Sequence, residues 1–247
     1  MKKTVIIVIA IVAVVAIVSA VLVTRGWPAD LVGSGNLESQ EYDFADFTEV
    51  EIGSAFEFEV KQSSSYSINI TADDNVMDYV QVSKDGQTLK IRLRTGLGIF
   101  LGPVSATLRA SVSMPQLQGL TASGASHGTV SSFSSTEDLD ITVSGASRVT
   151  GDITTGDVEF GISGASIIQL EGSGNDIDAN VSGASRLNLD DFTVNDVDVN
   201  FSGASSGTVN LNGRLDANLS GASTLWYIGE PIMGNINTSG ASTVSKK

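Results

Sequence analysis

The 247-residue chain has no cysteine, which excludes a disulfide framework, a thiolate metal site, a thiol nucleophile and a lipid-bearing cysteine anchor. It has one histidine, His127, so no site can be built on two imidazoles. Aromatic residues are 6% of the chain and prolines number four. Bases are scarce as well: 14 Lys and Arg stand against 28 Asp and Glu, a formal charge of −14. A chain so acidic is not built to neutralise a phosphate backbone, and nucleic acid is not expected as a partner. No cofactor motif is present. What is abundant is glycine, 26 residues, within a chain that is 41% apolar. With its Ser, Asp and Val, this composition favours many short strands and tight turns over helices.

Residues 5–23 form an unbroken uncharged run in which only Ser19 is polar, preceded by Lys2 and Lys3 and followed by Arg25 and Trp27. A helix of that length spans roughly 28 Å, close to a bilayer core. The flanking charges favour a cytoplasmic N-terminus and an extracytoplasmic remainder. Residues 1–30 are therefore expected to be one N-terminal transmembrane helix with its flank, and a single-pass cell-membrane location follows. Val18-Ser19-Ala20 also resembles a small-residue cleavage site. Cleavage near residue 20 makes the protein secreted, and both readings export the rest of the chain.

Residues 31–36, Leu-Val-Gly-Ser-Gly-Asn, read as a short flexible linker. A β domain is expected over residues 37–245. Its first part, 37–118, has alternating strands without an obvious repeat: Phe56, Phe58 and Val60 alternate with Glu57, Glu59 and Lys61. Lys84-Asp85-Gly86-Gln87 has the composition of a hairpin turn.

The second part, 119–245, repeats. Ser-Gly-Ala-Ser occurs seven times, beginning Ser123-Gly124-Ala125, Ser144-Gly145-Ala146, Ser163-Gly164-Ala165, Ser182-Gly183-Ala184, Ser202-Gly203-Ala204, Ser220-Gly221-Ala222 and Ser239-Gly240-Ala241. The spacing is 18 to 21 residues, which marks an array of stacked units. Before each copy apolar residues recur with period two, as in Val197, Val199 and Phe201, and a second alternation follows, as in Leu187 and Leu189. Each unit is thus strand, corner, strand, polar turn. The fold class is all-β: a right-handed parallel β-helix (solenoid) of about seven coils. The tetrapeptide reads as a structural ladder. Its glycine permits a positive φ, its serines bond along the stack, and its alanine methyl is expected to point inward at a tight corner.

Chemistry is sparse. His127 follows the first copy at a position that later holds Arg148, Ile167, Arg186, Ser206, Thr224 and Thr243, as a surface site would. A catalytic pairing with Ser126 also needs an orienting carboxylate and an oxyanion hole, which nothing specifies. Asp138 and Asp140, Asp176 and Asp178, and Asp196 and Asp198 fall at equivalent strand positions. In register they form carboxylate rows on a solvated face and are weak Ca²⁺ candidates. No catalytic or cofactor-binding residue is expected.

The Ser-Gly-Ala-Ser ladder, with Gly53-Ser54-Ala55-Phe56-Glu57-Phe58-Glu59-Val60 and Met114-Pro115 upstream, resembles the head GIN domain family of auto-transporter adhesins over residues 37–245. The resemblance implies a β-helix-like fold, one continuous domain and a cell-surface role without a catalytic motif. The expected function is a non-enzymatic adhesin or envelope structural domain. Its partners would be the membrane through residues 5–23, and cell-envelope polysaccharide or another surface protein. Two alternatives are a sensory or regulatory accessory domain of a membrane complex and a polysaccharide-acting β-helix enzyme.

Overall fold

The computed structural model describes residues 31–94 and 104–247, and in them the period-two segments become strands. In chain order these are β1 (Leu31–Val32), β2 (Leu37–Tyr42), β3 (Glu49–Ile52), β4 (Glu57–Gln62) and β5 (Ser67–Asp73). A single turn of helix, α1 (Asp74–Met77), leads to β6 (Val80–Asp85), β7 (Thr88–Leu93), β8 (Val104–Ser105) and β9 (Leu108–Met114). The repeats supply β10 (Gly119–Ala122), β11 (His127–Ser134), β12 (Leu139–Val143), β13 (Arg148–Thr154), β14 (Val158–Ile162), β15 (Ile167–Ser173) and β16 (Ile177–Val181). They continue through β17 (Arg186–Val194), β18 (Val197–Phe201), β19 (Ser206–Leu211), β20 (Arg214–Leu219), β21 (Thr224–Ile228), β22 (Ile232–Thr238) and β23 (Thr243–Lys246). Among the described residues no helix is long and apolar enough to cross a membrane. The anchor expected over residues 5–23 lies outside the described residues.

The even strands from β10 to β22 join β3, β7 and β6 in a ten-stranded sheet, the first sheet. The odd strands from β11 to β23 join β4, β9, β5 and β2 in a second sheet of 11 strands. Equivalent strands of successive repeats pair in parallel, one coil above the next. This is the expected solenoid of about seven coils. The core lies between the sheets: Val143, Ile162, Val181, Phe201 and Leu219, each just before a tetrapeptide, are buried. Inward glycines make room for rings. A Cβ on Gly128 would lie 2.3 Å from the Phe58 ring, and one on Gly207 2.6 Å from that of Phe201.

The seven tetrapeptide glycines have φ between +65° and +80°, the left-handed region that glycine enters without a steric penalty. From the third copy onward each corner is locked to the one before it. Ala184 N–H donates to the Gly164 carbonyl at 2.8 Å, and Ala204 does the same to Gly183. The alanine, however, does not fill the corner. Ala146, Ala165, Ala184, Ala204, Ala222 and Ala241 are exposed. The buried member is the fourth residue: Ser126, Ser147, Ser166, Ser185, Ser205 and Ser223. The physical reason is the turn itself: the chain swings out at Gly145 and Ala146, both exposed, and re-enters the core at Ser147. A hydroxyl so placed must be satisfied. Ser147 Oγ donates to the Ser144 carbonyl at 2.8 Å, closing its own turn, and accepts the Ser126 N–H of the preceding coil at 3.2 Å.

The N-terminal part contains a coil without the tetrapeptide. Strands β3 and β4 stack in register on β10 and β11. At their corner Ser54 takes the glycine's place, with φ 63°, and buried Phe56 takes the serine's. Ser54 Oγ accepts the Leu93 N–H at 3.2 Å, a bond that offsets the cost of that conformation. Beyond this coil lie β7 and β9, also parallel. The stack is closed by antiparallel strands: β6 on β7 through the expected turn at Lys84–Gln87, and β5 then β2 on β9.

Residues 31–36 are not a free linker. β1 pairs with β8, and the buried carboxylate of Asp73 accepts the N–H groups of Gly35 and Thr107, both at 2.7 Å. A Cβ on Gly33 would lie 2.2 Å from Asp73 Oδ2. The glycine there serves close approach rather than flexibility.

Candidate functional site

The parallel register turns every outward position into a row running along the solenoid, with neighbours about 4.8 Å apart. On the first sheet two acidic rows result. Asp138, Asp157, Asp176 and Asp196 sit six residues before their tetrapeptides. Their carboxylates are tied into the coil turns. Asp138 accepts the Asp157 N–H at 3.0 Å, Asp157 that of Asp176 at 3.3 Å, Asp176 that of Asp196 at 3.0 Å, and Asp196 that of Arg214 at 2.6 Å.

The second row, four residues before each tetrapeptide, is Asp140, Glu159, Asp178, Asp198 and Asp216 in direct register. Burial pushes the Asp198 carboxyl above its usual range, and the charges of Asp178 and Asp216 push it the same way. At the end of the row Arg214 bonds Asp216 and, with the Asn235 N–H, holds its carboxyl down at about 2. A groove of about 430 Å³ separates the two rows. All six sequence-derived Asp candidates therefore line up, and Asp157, Glu159 and Asp216 extend them. Counting back from each tetrapeptide would have found all three. Among the described residues no three carboxylate or imidazole groups converge to hold a metal ion. A row with one carboxylate per coil spreads its oxygens along the stack instead of around a point.

Closer to the corner the same face becomes neutral. Asn180, Asn200, Asn218 and Asn237 form one row. Asn218 Nδ2 donates to Asn200 Oδ1 at 3.2 Å and Asn237 Nδ2 to Asn218 Oδ1 at 2.8 Å. Asn180 Nδ2 instead donates to Asp178 Oδ1 at 3.2 Å, and a side-chain amide with one such bond keeps a further donor and acceptor site. The first serines of the tetrapeptides, Ser182, Ser202, Ser220 and Ser239, lie alongside. The two rows border a groove of about 450 Å³. Sequence reasoning passed over the asparagines. Their signal was an Asn two residues before each of the last four tetrapeptides.

The outward face of the second sheet carries His127 in a row with Glu57 and Arg109 on one side and Arg148, Ile167 and Arg186 on the other. Arg109 pairs with Glu57 at 3.0 Å. His127 is exposed, whereas Ser126 is buried with its hydroxyl donated to the Ser123 carbonyl at 2.8 Å. The two side chains point to opposite sides of the strand and form no nucleophile–base pair. Trp226 stands 39% exposed further along this face.

The pattern of the family described as "Putative auto-transporter adhesin, head GIN domain" matches residues 46–231. No curated protein sequence matches the chain. Solved structures share the fold. A "putative adhesin" from Bacteroides fragilis is 20% identical with TM-score 0.79, covering 88% of this chain and 100% of that one. A "putative adhesin" from Parabacteroides merdae is 19% identical with TM-score 0.65, covering 89% and 100%. A "putative lipid binding protein" from Parabacteroides distasonis is 23% identical with TM-score 0.67, again covering 89% and 100%.

Proposed function

Because the chain belongs to the family described as "Putative auto-transporter adhesin, head GIN domain", we propose that it is an adhesin head, displayed outside the membrane, that holds a repeating polar polymer of the cell envelope without chemically altering it. The observation that carries this reading is the pair of rows on the first sheet. Asn180, Asn200, Asn218 and Asn237 offer the same amide at successive coils, and the neighbouring serines offer the same hydroxyl. A surface that repeats itself at a fixed spacing gains most from a ligand that also repeats, because each further contact is intramolecular once the first has formed. Amides and hydroxyls match the hydroxyl-rich chemistry of a polysaccharide, and the acidic rows beyond them disfavour an anionic one. The family and the fold likeness support adhesion, and the uncharged run at residues 5–23 supports display from a membrane.

The test is retention of the full chain, held in lipid nanodiscs, on isolated envelope polysaccharide. Saturable retention is expected, with the polymer recovered at its original length. Asn200→Ala with Asn218→Ala should weaken retention by about tenfold or more. Unchanged retention in that variant, no retention at all, or a shortened polymer each overturns the proposal.

A further inference from the structure

The outward face of the second sheet is self-complementary, and we infer that it docks a second copy of this chain. Three parallel rows cross it. The row nearest the corner holds Arg109, Glu57, His127, Arg148, Ile167 and Arg186. The middle row holds Glu59, Thr129, Thr150, Gln169 and Asn188. The row nearest the turn holds Lys61, Ser131, Asp152, Glu171 and Asp191. Residues in the outer rows of one strand lie four or five positions apart, too far to pair with each other.

A two-fold axis parallel to the solenoid and passing over the middle row lays the corner row of one copy on the turn row of the other. Every coil then meets its own equivalent. Arg148 faces Asp152 of the second copy, Arg186 faces Asp191, and Glu57 faces Lys61. The symmetry forms each pair twice. His127 faces Ser131, and Ile167 faces Glu171. No like charges meet across the outer rows. The coil of β4 argues most strongly for a copy of this chain. There the corner position turns from basic to acidic, and the turn position of the same strand turns from acidic to basic. Glu57 also pairs with Arg109 of its own chain at 3.0 Å, but the joint reversal keeps both outer positions of this coil complementary across the axis.

The middle row pairs with itself at the axis through hydroxyls and amides. Trp226, at its far end in register with Thr208, would meet its equivalent there. Glu59 is the one group forced against its own kind. Because the axis runs along the solenoid, both copies point the same way, as two chains held in one membrane must.

The cysteine-free chain makes the test clean. The full chain carrying Thr150→Cys, in liposomes, is treated with a short bis-maleimide spanning the ~10 Å that separates packed sheets. Asn180→Cys on the first sheet is the control. A crosslinked dimer from Thr150→Cys and none from the control is expected. In the Thr150→Cys background, Arg148→Asp should cut the yield by about tenfold or more. Adding Asp152→Arg should restore it, which loss of folding could not do. Glu59→Gln should raise it. Equal crosslinking at both cysteines, no dimer, a product joining another protein, or failure of the double reversal to rescue overturns the proposal.

Discussion

Replacing Gly183 by alanine asks the corner stack to accept one methyl group. The residue has φ 76°, where a side chain costs roughly 1–2 kcal/mol. Its new Cβ would lie 2.4 Å from the Gly164 carbonyl oxygen and 3.1 Å from its nitrogen. Those atoms are backbone, and the oxygen already accepts the Ala184 N–H, so the neighbouring coil must yield at roughly 1–3 kcal/mol. The total is about 3 kcal/mol, or a fall in melting temperature of about 6–12 °C for a domain of this size. Ala184→Leu is the matched control, one residue further on. Its side chain is exposed, and its effect should stay within about 0.5 kcal/mol. Thermal melts of the full chain in detergent, followed by circular dichroism at the sheet band, report both. If Gly183→Ala melts with the parent while Ala184→Leu falls by the larger amount, the alanine fills the corner and the close packing of Gly183 on Gly164 is refuted.

Ser147→Ala removes a buried hydroxyl that donates to Ser144 and accepts from Ser126. It should cost about 1–3 kcal/mol, measured by denaturant titration, whereas Ser144→Ala at the half-exposed first position should be nearly neutral. Asp216 is held at about 2 chiefly by Arg214. A depressed carboxyl contributes stability that is present above its unfolded value and is lost as pH falls toward its folded one. Its share should therefore be complete above roughly pH 4 and disappear toward pH 2. Arg214→Ala should move the Asp216 titration, followed by carboxyl-resolved NMR, upward toward the ordinary range. An Asp216 titration unmoved by that change would deny the pairing.

The alternation of residues such as Val197, Val199 and Phe201, locked to a tetrapeptide of fixed spacing, makes the strands, corners and parallel stack legible. The coil of β3 and β4 is not, because a search for identical tetrapeptides cannot see Gly53-Ser54-Ala55-Phe56. Its strain at Ser54 is met by a bond to Leu93, a residue remote in sequence. Sequence alone reverses the corner's inside and outside for a different reason. Serine reads as too polar to bury, although its hydroxyl can bond a carbonyl three residues back. Residues 31–36 have a linker's composition, and only the approach of Asp73 gives Gly33 and Gly35 another purpose. The acidic rows are half legible from spacing. The amide row needs the register, since an isolated Asn on a strand carries no signal.

The order of coils at the N-terminal end governs how the chain can assemble. From β12 onward each coil needs only its immediate predecessor, about twenty residues away, and can zip onto a finished template at low entropic cost. The template is different: Gly119 pairs with Glu49, 70 residues earlier in the chain, and β7 and β9 must already lie on the far side of β3 and β4. The rate-limiting step therefore belongs to that end. Val60→Ala should slow refolding in stopped-flow experiments, and Val199→Ala should chiefly speed unfolding. In a chain made from its N-terminus, this puts the slow step first and lets each later coil fold as it emerges.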